Sequence, residues 1–363
     1  MRLLNPFYVL VTLFSFNMFL HLFFYETYGA LSLTTYVVVI VYVIAFSFGF
    51  YFLEKSIPNV KTEKYKAIIS NKMNLIVLVS LVVVLAIFYL RVSAENAINF
   101  ATYRQLIFKA YETKNDIYYF IRLLSLYVFF ATAMFFNYSG KYMFAVWFVI
   151  VVFISIITTG RNYLLIYLLG FLIYILNGVN VKRNLCLFVF LFILTFSIFI
   201  LAFDKGGDGN IFVSIIDSIL KYFSIPLYGF SYMTEHVPQN NTIMLLSPGI
   251  LDFIGIDYNA PPPAIYTPEP FVTNVYTLFY FMYCDLGIYG IIFFGMLYGA
   301  LHKKIYLYAL KGSSFSLYLY TLSLYPIFMS VFFDVYLSSL GLWVAALIPW
   351  FFIKKYRINL CRS

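Results

Sequence analysis

Long apolar runs, many of them close to the roughly 20 residues that cross a bilayer core, alternate along the chain with short polar interruptions. The runs fall at approximately 6–25, 30–53, 73–91, 117–138, 141–158, 162–177, 184–203, 274–301, 315–334 and 339–353. None shows the two-residue alternation of a membrane β-barrel strand. The pattern therefore predicts an all-α polytopic membrane protein with about ten transmembrane helices. One stretch breaks the rhythm. Residues 204–273 open on Asp204-Lys205-Gly206-Gly207-Asp208-Gly209-Asn210 and close on Pro261-Pro262-Pro263 and Pro268-Glu269-Pro270. The chain thus divides into helices one to seven over 1–203, a large polar loop over 204–273, and helices eight to ten over 274–363.

Inside that loop, Ser214, Asp217, Ser218 and Lys221 recur at helical spacing opposite Ile, Phe, Val and Leu. This predicts an amphipathic helix lying in a membrane interface. Ile225-Pro226 is expected to end it, and Tyr228-Gly229-Phe230-Ser231-Tyr232 to form a separate segment dipping toward the membrane. A second polar stretch, 92–116, predicts a short helix on the surface.

Composition agrees. Hydrophobic residues are 63% of the chain and charged residues 11%, which excludes an ordinary soluble domain. The segment after Arg2 carries no small-residue cleavage site, so it reads as an uncleaved first span. Most of the 24 Lys and Arg sit in loops on one side, including Lys55, Lys61, Lys182, Arg183, Lys303, Lys304, Lys354 and Lys355. The positive-inside bias then places both termini in the cytoplasm and 204–273 outside. Of the 15 acidic residues, only Glu54 and Glu63 fall on the cytoplasmic side. A formal charge of +9, spread through membrane-flanking loops, implies orientation and lipid contact rather than nucleic-acid binding. Cys186, Cys284 and Cys361 make neither a metal spacing nor an evident pair, His21, His236 and His302 are scattered, and no phosphate-binding glycine loop occurs. No metal or cofactor is expected.

Four arginines, Arg91, Arg104, Arg122 and Arg161, map to the outer side, against the insertion bias. Arg122, about five residues into its span, would lie roughly 8 Å deep. Such a charge needs a wet or paired site, whereas snorkelling to headgroups accounts for Arg91. The planar guanidinium binds phosphate and pyrophosphate oxygens bidentately. Asp285 and Asp334 sit in outer halves of spans, as chemistry or as ion-pair partners. Glu235-His236 is a candidate general base in the loop, or simply an exposed pair. Tyr228, Tyr232, Tyr258, Tyr266 and Tyr276 either stack on sugar faces or form an interfacial belt.

Three local features resemble the Wzy-type oligosaccharide repeat-unit polymerases of bacterial O-antigens and capsules. They are Thr158-Thr159-Gly160-Arg161-Asn162, then Ile225-Pro226-Leu227-Tyr228-Gly229-Phe230, then Asp285-Leu286-Gly287-Ile288-Tyr289-Gly290 in the helix after the loop. Tyr103-Arg104 resembles an upstream family arginine more loosely. The resemblance implies a GT-C-like glycosyltransferase in the bacterial cytoplasmic (inner) membrane, acting on undecaprenyl-pyrophosphate-linked oligosaccharides without nucleotide or metal. It implies a chain-length regulator and a flippase of the same pathway as partners. On that reading Arg161 and Arg104, with Arg122 and Arg91, hold pyrophosphate. His236, Glu235 or Asp285 removes the acceptor proton, and Tyr228, Tyr232 and Tyr276 meet glycan. An O-antigen ligase, a lipid-linked oligosaccharide flippase and a membrane acyltransferase are the alternatives.

Overall fold

The computed structural model describes residues 4–52, 71–94, 100–113, 115–136, 141–158, 161–176, 211–236, 276–336 and 340–360, with positions 186, 188, 190, 191 and 267. The span expected at 184–203 and most of the loop after 236 lie outside the described residues. Every regular element among those described is a helix. Five are long and apolar enough to cross a membrane: Pro6–Phe23, Leu33–Phe52, Asn74–Ser93, Asp116–Met134 and Phe279–Leu310. Phe144–Ile157, Asn162–Leu176 and Gly341–Ile353 are shorter apolar helices. The chain is a helical, multi-pass membrane protein.

It forms two compact units, each gathered from separated stretches. The first takes Met1–Lys61, Phe196–Lys311 and Ser323–Leu342. Its helices are α1 (Pro6–Phe23), α2 (Tyr25–Tyr28), α3 (Leu33–Phe52), α9 (Ile211–His236) and α10 (Phe279–Leu310). Asn5 caps α1, its Oδ1 accepting from Phe7 N at 3.0 Å, and Pro6 follows at the first turn, where its missing N–H costs nothing. Gly29, at φ +85°, turns the chain from α2 toward α3.

The core of this unit is the contact between α3 and α10, and small residues make it possible. A Cβ on Gly49 would lie 2.0 Å from the Met296 carbonyl oxygen, and one on Gly299 2.1 Å from that of Phe46. Gly295, four residues before Gly299, meets Ala45 and Tyr42. This is the small-residue spacing that lets membrane helices bring their backbones together when no hydrophobic effect drives them.

α10 is not one straight span, as the apolar run 274–301 predicts. Gly287 adopts φ +58°, ψ −144°, a conformation essentially confined to glycine. The chain reverses there. Tyr42 touches Phe279, ring centroids 5.1 Å apart, and would also meet a Cβ on Gly295 at 3.3 Å. A straight helix separates those two residues by about 24 Å at 1.5 Å per residue. Gly290 likewise backs onto the Met282 carbonyl. Residues 279–286 therefore form a half-length arm and residues 288–310 a full one. The second arm, about 34 Å long, suffices to cross a bilayer core.

The second unit takes Thr62–Thr195, Gly312–Leu322 and Trp343–Ser363. It holds α4 (Asn71–Ala94), α5 (Phe100–Thr113), α6 (Asp116–Met134), α7 (Lys141–Ile157) and α8 (Arg161–Leu176), with most of α12 (Leu340–Leu360). The division between the units falls within α11 (Ser314–Met329). Helix α6 is central, packing on α4, α5, α7 and α8. Gly170 of α8 sits against Thr132 and Phe135, and Phe135 meets Phe144, Tyr167 and Phe171. Buried polar groups are paired across helices: Trp147 Nε1 donates to Asn74 Oδ1 at 3.2 Å and Tyr127 Oη to Ser80 Oγ at 3.2 Å. The surface helix expected within 92–116 is α5, anchored where the Tyr103 hydroxyl donates to the Ile157 carbonyl.

Candidate functional site

At the Gly29 end of the first unit, α9 meets α1, α2 and α3. Sequence alone ends this helix at Pro226, but α9 continues unbroken from Ile211 to His236. Proline removes one N–H and loosens the preceding turn. Two carbonyls of that turn meet side chains of α1. Asn17 Nδ2 donates to the Phe223 carbonyl, and His21 Nε2 lies 2.9 Å from the Ser224 carbonyl, with its Nδ1 2.8 Å from that of Gly29. Two polar side chains of α1 thus pack against the turn before the proline. The Tyr228–Tyr232 segment is helical, not a separate re-entrant stretch. Further along, Ser231 Oγ accepts from Ser32 N at 2.7 Å, fastening α9 to the start of α3.

Of the polar stripe expected in this helix, the side chains of Asp217 and Lys221 are described, and those of Ser214 and Ser218 lie outside the described residues. Lys221 Nζ and Asp217 Oδ2 pair at 2.7 Å, half-exposed, one helical turn apart. Burial pushes the Tyr28 phenol above its ordinary range, and the Asp217 charge adds to this. Burial does the same to Tyr228, with Tyr232 and Glu235 contributing. Both phenols therefore stay protonated at physiological pH.

The tip of the α10 hairpin lies in the same unit, joined to α9 through the Phe230–Tyr283 ring contact at 5.8 Å. Beside the tip is an open groove of about 480 Å³. Leu33, Thr34 and Val37 line it from α3, and Tyr283, Leu286 and Tyr289 from the hairpin. Tyr289 is 79% exposed and Leu33 also 79%. An apolar groove of this size accommodates a chain-like apolar group. Asp285, half-buried, stands two residues before the reversal.

The other expected site residues fall as follows. Glu235 and His236 are exposed at the end of α9. His236 Nδ1 lies 2.8 Å from the Tyr232 carbonyl, and its ring stacks on that of Tyr232 at 4.0 Å. The imidazole is thus engaged in closing the last helical turn, and one face of Tyr232 is covered. Tyr276 meets Tyr280 with ring centres 4.8 Å apart and the rings tilted, at the start of the short arm. Asp334 is not in a span's outer half: α11 ends at Met329, and Asp334 lies buried in the non-helical stretch that follows. Its Oδ1 accepts from Tyr336 N at 2.8 Å.

All four arginines belong to the second unit. Arg122 is exposed and reaches back one turn, Nε donating to Tyr118 Oη at 2.9 Å with the guanidinium 5.1 Å from the ring centre. It is not buried within the helix packing. Arg91 lies 4.0 Å from Asp116, both exposed. Arg104 is within α5 and Arg161 opens α8, while their side chains lie outside the described set. The structure thus groups Tyr228, Tyr232, Glu235, His236, Tyr276 and Asp285 in one unit and Arg91, Arg104, Arg122 and Arg161 in the other.

Sequence reading misses the reversal at Gly287 and the pairing of Asn17 and His21 with α9. An asparagine and a histidine within an otherwise apolar first span were the available signal. Compared with known proteins, the chain matches no family model, no curated protein and no solved structure.

Proposed function

We propose that this protein is a glycosyltransferase of the bacterial cytoplasmic membrane, with about ten spans, cytoplasmic termini and a GT-C-like arrangement. It polymerises undecaprenyl-pyrophosphate-linked oligosaccharide repeat units at the outer face. The observation that carries the reading is the Gly29 end of the first unit. There an amphipathic helix, a hairpin tip bearing Asp285-Leu286-Gly287 and an apolar groove occur together. The groove suits an isoprenoid chain, and the polar stripe of α9 suits a glycan at the same interface.

In the reaction, an acceptor hydroxyl oxygen bonds to the anomeric carbon as the bond from that carbon to the pyrophosphate oxygen breaks. Asp285 takes the hydroxyl proton in preference to His236, whose ring is already engaged with Tyr232. Negative charge grows on the departing pyrophosphate, and Arg161 and Arg104 are assigned to hold it by their fixed, permanently charged forks.

A flippase is the second reading, favoured by the half-length arm 279–286, because interrupted membrane helices mark substrate sites in transporters. Deleting the gene in its host and resolving the surface polysaccharide on a gel separates the two. Polymerase function predicts collapse of the ladder to core plus a single repeat. Loss of every repeat, with lipid-linked units accumulating, indicates a flippase or ligase. Complementation with Arg161→Ala is expected to leave the single-repeat pattern while the protein still inserts. Arg161→Lys restores little, since a point charge does not replace the fork. Wild-type ladder from Arg161→Ala would remove that residue from the site.

A further inference from the structure

Half-way along α3, a turn beyond the residues that line the groove, the first unit encloses a polar cluster that the proposed transfer does not use. Two non-helical stretches meet there. Leu278 N, just before the short arm of α10, donates to the Ser330 carbonyl at 3.0 Å, and the backbone stays non-helical from Ser330 to Tyr336. Around them stand Tyr42 of α3, Tyr298 and His302 of the long arm, and Asp334 and Tyr336, each less than a tenth exposed. His302 Nε2 lies 2.7 Å from Tyr336 Oη, and Tyr336 stacks on Tyr298 with ring centres 3.8 Å apart. The phenols of Tyr42 and Tyr298 lie within electrostatic reach of the Asp334 carboxyl.

Three polar atoms of this cluster are buried and make no hydrogen bond: Tyr42 Oη, Tyr298 Oη and His302 Nδ1. Such an atom is costly if left dry, and three in one cluster beside a carboxyl are not tolerated without compensation. Irregular backbone at membrane depth is likewise found only where protein buries it or where it lines a wet cavity. A water molecule both donates and accepts, and needs two to four polar partners. This cluster offers that number. We infer that the first unit holds a hydrated site at mid-depth, with water bound between Tyr42, Tyr298 and His302 beside Asp334.

The two phenols and the imidazole come from α3 and the long arm, and the carboxyl from the stretch after α11. Water there links Asp334 to His302 through exchangeable protons.

Hydroxyl-radical footprinting of the protein in lipid nanodiscs tests this directly, because radicals generated from bound water label adjacent side chains even when bulk solvent is excluded. Tyr318 is the dry control: it is equally buried, and its hydroxyl donates to the Ala346 carbonyl at 2.6 Å. Labelling of Tyr42 and Tyr298 several-fold above Tyr318 is the expected result. Protection equal to that of Tyr318 would overturn the site. Tyr42→Phe gives an independent sign. With a hydrated site the substitution strips a water of a partner and lowers the thermal midpoint. With a dry one it deletes an orphaned hydroxyl, so the midpoint holds or rises, which would equally count against the proposal.

Discussion

A histidine beside a glutamate in a polar loop is the obvious general base in this chain, yet its surroundings argue otherwise. The His236 ring stacks on Tyr232 and its Nδ1 meets the carbonyl of the same residue, so the local helix end accounts for its position. Asp285 has a different setting, half-buried at a glycine reversal next to a groove. The expected outcome is that His236→Ala supports near-normal polymer length in a complementation gel, whereas Asp285→Asn leaves the single-repeat product at unchanged protein level. The opposite ranking would return the base to α9. Burial also assigns roles to the tyrosines. With their phenols pushed above the ordinary range, Tyr28 and Tyr228 stay protonated and do not serve as bases near neutral pH.

At the scale of elements, glycine decides where helices touch and where they turn. Gly287 holds a backbone conformation that costs a residue with a Cβ about 1–3 kcal/mol. Gly287→Ala should lower the thermal midpoint in detergent and reduce activity with it, because the tip carries Asp285. An unchanged midpoint would mean that the reversal tolerates a side chain. The apolar runs made α1, α3, α4, α6, α7 and α8 legible, since each is a continuous stretch bounded by polar residues. The α10 hairpin was not legible. Its two arms form one apolar run of helical composition, and Gly287 differs from packing glycines such as Gly295 only in a dihedral angle. Pro226 misled for a related reason: the side chains packed against the turn before it, Asn17 and His21, lie about 200 residues earlier in the chain. The Asp217–Lys221 pair of α9 could be read because it is local. The buried quintet around Tyr42 could not, being drawn from three separated stretches.

For the whole molecule, the testable quantity is sidedness. From the charge distribution the Gly29 end is expected outside and the Lys303–Lys304 end inside. Glu26 and Lys304 are both exposed, at opposite ends of the first unit's helices. In a background with Cys186, Cys284 and Cys361 replaced by Ser, Glu26→Cys should react with an impermeant maleimide on intact spheroplasts. Lys304→Cys should react only after permeabilisation. Reversed labelling would invert the topology and move the candidate site to the cytoplasm, where lipid-pyrophosphate polymerisation from outside is impossible. The two units also carry different parts of the proposed chemistry, with the carboxylate and tyrosines on one and the arginines on the other. A functional test therefore has to use the full chain.

The half-length arm before Gly287 has a consequence for biogenesis. Residues 279–286 amount to about 12 Å of helix, too short to partition across a bilayer by themselves. Insertion machinery scanning this region meets a 32-residue apolar helix, Phe279–Leu310, with a single crossing in it. The short arm must then be drawn in by protein rather than lipid, once Phe279 can seat against Phe14 and Tyr42 of helices made more than 200 residues earlier. Until that docking, Asp285 and the unpaired turn at Leu278 have no shelter. The last step of maturation is thus expected to be the one that assembles the site, so that an incompletely folded chain is also an inactive one.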